Sequence, residues 1–143
     1  MKIIEPATTE QFEQYYRLRY QALREPWGQP EGSERLDDDA SAIHAMLMND
    51  AGEAVGVCRL HLNTLQEGQL RLMGIRKDQQ GKQLGNKLIR YLEERARALG
   101  AERMTLEARD YAVNFYRRNG YEVVEKTYLL FGSIQHYRMA KQL

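Results

Sequence analysis

Cysteine is almost missing from this chain. Cys58 is the only one, so an intrachain disulfide is excluded and a reducing compartment is the natural setting. It sits in an apolar stretch, Val55–Leu60, where a buried, inert thiol is expected in place of a nucleophile. An excess of one charge is also missing. Lys and Arg total 21 against 20 for Asp and Glu, so a net charge near +1 gives no global pull toward nucleic acid or an anionic membrane. No apolar run approaches the roughly 20 residues of a membrane helix. The start, Met1-Lys2-Ile3-Ile4-Glu5-Pro6, turns acidic too soon for a secretory signal. A cytoplasmic protein is expected, with neither nucleic acid nor membrane as partner and without a metal. There is no internal repeat, linker or low-complexity tract, so the 143 residues read as one domain, 1–143. That length suffices to bury roughly 70% of the unfolded surface.

What is present is an alternation of strand and helix patterns. Ile3-Ile4 suggests a strand ended by Pro6, and Thr8 with Gln11 forms a capping-box signature. The helix that follows carries Phe12, Tyr16, Tyr20 and Leu23 near helical spacing, which predicts its core face. Pro26 to Gly32 breaks it, and Asp37-Asp38-Asp39 falls in a loop or a short second helix. Strands are predicted over Ile43–Met48 and Ala54–Leu62, joined by the turn Asn49-Asp50-Ala51-Gly52. After a turn at Thr64 to Gly68, Leu70, Leu72 and Ile75 alternate along a central strand. Leu84, Leu88, Ile89, Leu92, Ala96 and Leu99 then share one helix face, stopped by Gly100. Met104–Leu106 gives a strand, Asp110 a cap, Ala112, Phe115 and Tyr116 a short helix closed by Gly120, and two strands finish the chain. This order predicts a mixed α+β fold, a sheet covered by helices.

Two segments carry chemistry. Gln80-Gly81-Lys82-Gln83-Leu84-Gly85 lies between a strand and a helix, where unpaired amides meet an anion without help from side chains. On loop chemistry alone a plain turn with a solvated lysine is equally open. A nucleoside-triphosphate loop is disfavoured, because Gly-Lys is not followed by Ser or Thr and the first glycine is missing, and the triple glycine of a dinucleotide site is lacking. The second segment is Ala112-Val113-Asn114-Phe115-Tyr116-Arg117-Arg118-Asn119-Gly120-Tyr121.

Together these resemble the GNAT-type N-acetyltransferase superfamily. Gln80 and Gly85 match the ends of its phosphate loop, with Gln83 standing where a glycine is usual, and the second segment is similar to its Ala-x-x-x-Tyr-x-x-x-Gly-Phe/Tyr signature. Phe131 to Met139 is similar to the ending of the short ElaA-like branch, with Gln135 in place of its proline. The resemblance implies a mixed, largely antiparallel sheet of about seven strands flanked by about four helices. It also implies acetyl-coenzyme A as co-substrate, held by Met73, Gly74 and Ile75 along the strand end, by Gln80, Gly81, Lys82, Gln83, Leu84, Gly85 and Asn86 in the loop, and by Arg109, Asn114 and Phe115 beyond it.

Acetyl transfer to an amine needs an oxyanion donor, a base, and a proton for the departing thiolate. A backbone amide at Ile75 is the expected donor, and Tyr116 the expected acid, since a phenol near pKa ~10 stays protonated at neutral pH. The carboxylate usual in relatives near Arg71 is absent, which leaves Glu107 and His61 as candidate bases. Trp27, His44 and His136 are expected to touch the acceptor, and the Asp37–Asp39 run to attract its cation. The reading is an N-acetyltransferase acting on a primary amine of a small molecule or protein, as monomer or homodimer. Open beside it stand an acyl-coenzyme A binding module without turnover and an amino-sugar phosphate as acceptor. A nucleic-acid adaptor using Arg90, Arg95, Arg97 and Arg103 is disfavoured, because no basic stripe with interleaved aromatics accompanies them.

Overall fold

The computed structural model describes residues 1–143. Seven strands form one sheet: β1 (Lys2–Ile4), β2 (Ile43–Met48), β3 (Ala54–Leu62), β4 (Glu67–Ile75), β5 (Arg103–Arg109), β6 (Glu122–Leu130) and β7 (Ile134–Gln142), in the order β1-β2-β3-β4-β5-β7-β6. Every neighbouring pair is antiparallel except β4 and β5, which run parallel because α2 (Gly85–Ala98) crosses between them. The other helices are α1 (Thr9–Leu23) and α3 (Val113–Arg118).

Three α-helices are present instead of about four, because the Asp37–Asp39 region makes only a short 3₁₀ turn, Asp39–Ser41, whose one carboxylate, Asp39, bonds to Arg19 and Arg59. Thr8 caps α1 as expected: its side chain accepts from the Gln11 amide at 3.1 Å, and the Gln11 side chain accepts from the Thr8 amide at 3.2 Å. The buried face of α1 is Tyr15, Leu18, Arg19 and Leu23, with Phe12 and Tyr16 only at its margin and Tyr20 half-buried. The buried face is therefore turned from the expected one, because Arg19, bonded to Asp39 beneath the helix, occupies it. Leu99 is likewise not core: it is 45% exposed where α2 ends.

Strand alternation sorts the sheet into two faces. Ala45, Leu47, Leu60, Leu70, Leu106 and Met139 pack with Leu88, Ile89 and Leu92 of α2. On the other face Met46, Met48 and Val57 pack with Tyr15 and Leu18 of α1. α1 lies on β3 and β4, so this second face stays open over β5 and β7. An ion network sits beneath α1. The carboxylate of Asp39 accepts from Arg19 at 2.8 Å and from Arg59 at 2.7 Å, both arginines being fully buried.

Candidate active site

β4 carries a bulge that opens the sheet. Between the pairs Arg59↔Arg71 and Val57↔Gly74, β3 advances two residues and β4 three, with Leu72 at φ 61°. Pairing with β5 stops at Leu70↔Leu106, although both strands continue, to Ile75 and Arg109. The diverging ends leave a cleft of about 640 Å³. No helix is long and apolar enough to cross a membrane, and no three His, Cys, Asp or Glu side chains cluster as a metal site.

One end of the cleft is the start of α2. The amides of Gly81 through Gly85 donate to no protein acceptor, no acidic residue lies in the first turn of α2, and no side chain caps it. Those are the conditions under which a helix start attracts an anion. Gln83 holds a left-handed backbone, φ 60°, between Gly81 at φ 81° and the helix. Gly85 is buried, and a Cβ there would come within 2.8 Å of the Phe115 ring, so the absent side chain lets α3 close over the loop. Asn119 of the α3 C-terminus donates to Asn86 at 2.9 Å and ties the two helices.

Tyr116 lines the middle of the cleft. It is 8% exposed and packs edge-on against Phe115 and Tyr121, and its hydroxyl makes no hydrogen bond within the protein. Burial raises its pKa, so it stays protonated. Across the sheet, on the open face, stand Arg71, Glu107, Arg109 and His136, joined by Arg24 of the residue after α1 and by Tyr128 of β6. Glu107 accepts from Thr127 at 2.7 Å. Arg109 lies 4.4 Å over the Trp27 ring and donates to Tyr111 at 3.0 Å. His136 stacks on Tyr128 at 4.4 Å and bonds the Ile134 carbonyl at 3.0 Å, and burial lowers its pKa, keeping it neutral.

Residues 10–121 match the model of the acetyltransferase (GNAT) family. The chain belongs to that family. It is an acyltransferase, and it is 25% identical over 141 residues to YjcF, an uncharacterized N-acetyltransferase of Bacillus subtilis, with 99% of each chain covered. Its fold is shared with a Lactobacillus plantarum protein assigned as an N-acetyltransferase (TM-score 0.88, 24% identity, 99% of this chain and 97% of that one). It is also shared with an aminoglycoside 6'-N-acetyltransferase complexed with coenzyme A (0.82, 17%, 99% and 97%) and with Escherichia coli ElaA (0.77, 18%, 98% and 97%).

Of the residues singled out in the sequence of this GNAT family member, Met73, Gly74, Ile75, Gln80, Gly81, Gln83, Leu84, Gly85, Glu107, Arg109, Phe115, Tyr116 and His136 are gathered around the cleft. Others are not brought there. Lys82 is exposed and donates to Gln79 at 3.3 Å, Asn114 is exposed on α3, and Asn86 serves the helix tie. His61 lies in a smaller cavity beside Asp38 and Leu99, at the far end of α2, bonded to Arg59 at 3.0 Å and Asn63 at 2.8 Å. His44 is enclosed in the α1 network, bonding the Tyr15 hydroxyl and the Asp39 carbonyl, each at 2.8 Å. Trp27 contributes as the platform under Arg109. Asp38 and Asp39 are taken up by Arg59 and Arg19, which leaves neither to greet an acceptor cation. Arg24 and Tyr128 escaped notice in the sequence, and Arg71 was noted there only as the place of an absent carboxylate. In the structure Arg71 is one residue past the last β4–β5 pair, as Glu107 is, and so shares its face.

Proposed function

We propose that this chain transfers the acetyl group of acetyl-coenzyme A to a primary amine, and that residues 1–143 act as one N-acetyltransferase domain. The observation that carries the reading is the row of unpartnered amides, Gly81 to Gly85, opening onto the same cleft as the unbonded hydroxyl of Tyr116. Acetyl-coenzyme A supplies an acyl thioester already activated for attack. The loop amides hold its pyrophosphate, and the splayed end of β4, Met73 to Ile75, aligns pantetheine so that an amide there faces the acyl oxygen.

The amine enters from the open face. Glu107 takes its proton, directly or through one water, and the freed lone pair attacks the thioester carbon. As the tetrahedral centre collapses the C–S bond breaks, the nitrogen sheds its second proton to water, and Tyr116 supplies the proton that turns the thiolate into a thiol, regaining its own from solvent. A phenol raised by burial suits this step, because the same desolvation raises any thiol beside it. Cys58, buried in the core, illustrates the direction: burial pushes its thiol up.

The test is a coenzyme A release assay over a panel of amines, run beside calorimetry with acetyl-coenzyme A. The proposal expects micromolar-range binding, ordinary for such enzymes, and turnover on at least one amine. Tight binding without turnover on any acceptor would replace it with the binding-module reading.

A further inference from the structure

The charges along the cleft are lopsided. Its lining holds a single carboxylate, Glu107, against Arg24, Arg71, Arg109 and, near the loop, Arg118. Elsewhere the protein pairs its arginines with care. Every other arginine that is at least partly buried, namely Arg19, Arg59, Arg76, Arg95 and Arg103, has a carboxylate within 4.0 Å. The three exceptions are Arg24, Arg71 and Arg109, and all three line this cleft.

Their hydrogen bonds sharpen the point. Arg24 donates only to the carbonyls of Ser33 and Leu23, and Arg109 to the Leu23 carbonyl and the Tyr111 hydroxyl. Arg71 makes no hydrogen bond through its side chain to the protein. Withdrawing a guanidinium from water without a counter-charge is costly, so three together mark a place where an anion compensates. The strain has a measurable sign: burial lowers the Arg24 pKa, and the charges of Arg109, Arg19 and Arg71 lower it further. Strand alternation puts Arg71 and Arg109 on the open face, opposite the α2 side where the loop amides sit, so this cation group is distinct from the phosphate cradle.

Building on the acetyltransferase reading, we infer that the acceptor is a primary amine carrying an oxyanion, a carboxylate or a phosphate, and that Arg71, with Arg24 and Arg109, holds that group. Glu107, bonded only to Thr127, is left to face the ammonium. A zwitterionic acceptor thus finds its two charges matched across one opening, whereas a polycation meets three arginines. The fold shared with aminoglycoside acetyltransferases does not extend to a cleft suited to an aminoglycoside.

The first test uses matched acceptor pairs in the coenzyme A release assay: amino acids beside their amides, amino-sugar phosphates beside the free amino sugars, and a polycationic aminoglycoside. The anionic member of at least one pair should be preferred by roughly tenfold to a hundredfold in kcat/KM, the range for charge-assisted bonds. Arg71→Gln should shrink that preference by about tenfold through KM, with acetyl-coenzyme A affinity retained. Equal use of charged and neutral members, or preference for the aminoglycoside, overturns the inference while leaving acetyl transfer intact.

A second test does not depend on turnover. Inorganic phosphate, then acetate, is titrated into protein saturated with coenzyme A while the arginine Nε–H resonances are followed by NMR. Saturable shifts of Arg71 that vanish in Arg71→Gln are expected, and the tighter anion names the group. No saturable shift with either anion overturns the inference, whatever the outcome for transfer.

Discussion

Asp39 is expected to be the most costly single carboxylate in the protein. Its side chain accepts from Arg19 at 2.8 Å, Arg59 at 2.7 Å, the Tyr16 hydroxyl at 3.0 Å and the Leu36 amide at 3.1 Å. Asp39→Ala leaves Arg19 with only neutral partners and Arg59 with Asp38 as its one carboxylate. Removing one member of a buried ion pair costs about 3–5 kcal/mol. With a urea m-value of roughly 2 kcal/mol/M, the unfolding midpoint should fall by about 1.5–2.5 M at unchanged m. Asp38→Ala is the internal control. Asp38 also pairs with Arg59 at 2.7 Å, but its side chain is 50% exposed, so its loss should cost about 0–1 kcal/mol.

The same site sets an acid limit. Burial raises the Asp39 carboxyl, yet the Leu36 amide, Arg59, Arg19 and Tyr16 overcome it and bring the pKa from an ordinary 3.8 down to about 2. A depressed carboxyl stabilises the fold above its unfolded pKa, and the contribution, about 2 kcal/mol, is lost as pH falls from about 4 toward 2. This is smaller than the deletion cost, because protonation keeps the side chain's shape and several of its bonds. Asp39→Asn should therefore flatten the acid limb of stability against pH. Equal costs for Asp38→Ala and Asp39→Ala, or a loss under about 1 kcal/mol for Asp39→Ala, would refute the reasoning.

The loop gives two further expectations. Gly85→Val should weaken coenzyme A binding far more than Lys82→Ala, by calorimetry, because a side chain at Gly85 displaces Phe115 from the α3–loop contact while Lys82 is an exposed, screened charge; comparable losses would mean that the lysine, and not the backbone, holds the anion. Gln83→Gly relieves a left-handed strain of about 1 kcal/mol that the loop already carries at φ 60°. The gain should appear in folding stability, less the entropy glycine adds to the unfolded chain, with coenzyme A affinity unchanged within about twofold. Tightening of about fivefold would instead show that the loop reorganises on binding.

Much of this was legible in the sequence because it was local. The hairpin strands Ile43–Met48 and Ala54–Leu62, the Thr8–Gln11 cap and the glycine stops come from residues within a turn of one another, and the structure has them where expected. What escaped notice depends on distant partners. Arg19 is buried because Asp39, twenty residues on, meets it beneath α1, and that pairing rotated the α1 face, took up Asp39 and enclosed His44. His61 points away from the cleft for a simpler reason: it lies near the end of β3 beside the C-terminus of α2, and the cleft opens at the helix's other end, roughly 20 Å away by helix rise. The Leu72 bulge left no mark in the alternation of Leu70 and Leu72, since an extra residue in a strand is set by what opposes it.

The central claim is that Tyr116 delivers the proton to the departing thiolate. Tyr116→Phe keeps the ring packed between Phe115 and Tyr121 and deletes only the unbonded hydroxyl. Measured by coenzyme A release on an accepted amine, kcat should fall by roughly 10²-fold, the lower end for a positioned general acid, while acetyl-coenzyme A affinity by calorimetry is retained. The loss should shrink with an acyl donor whose thiol is more acidic, because a better leaving group needs less protonation. A Tyr116→Phe enzyme at full speed, or one that loses the same factor with every donor, would contradict the claim.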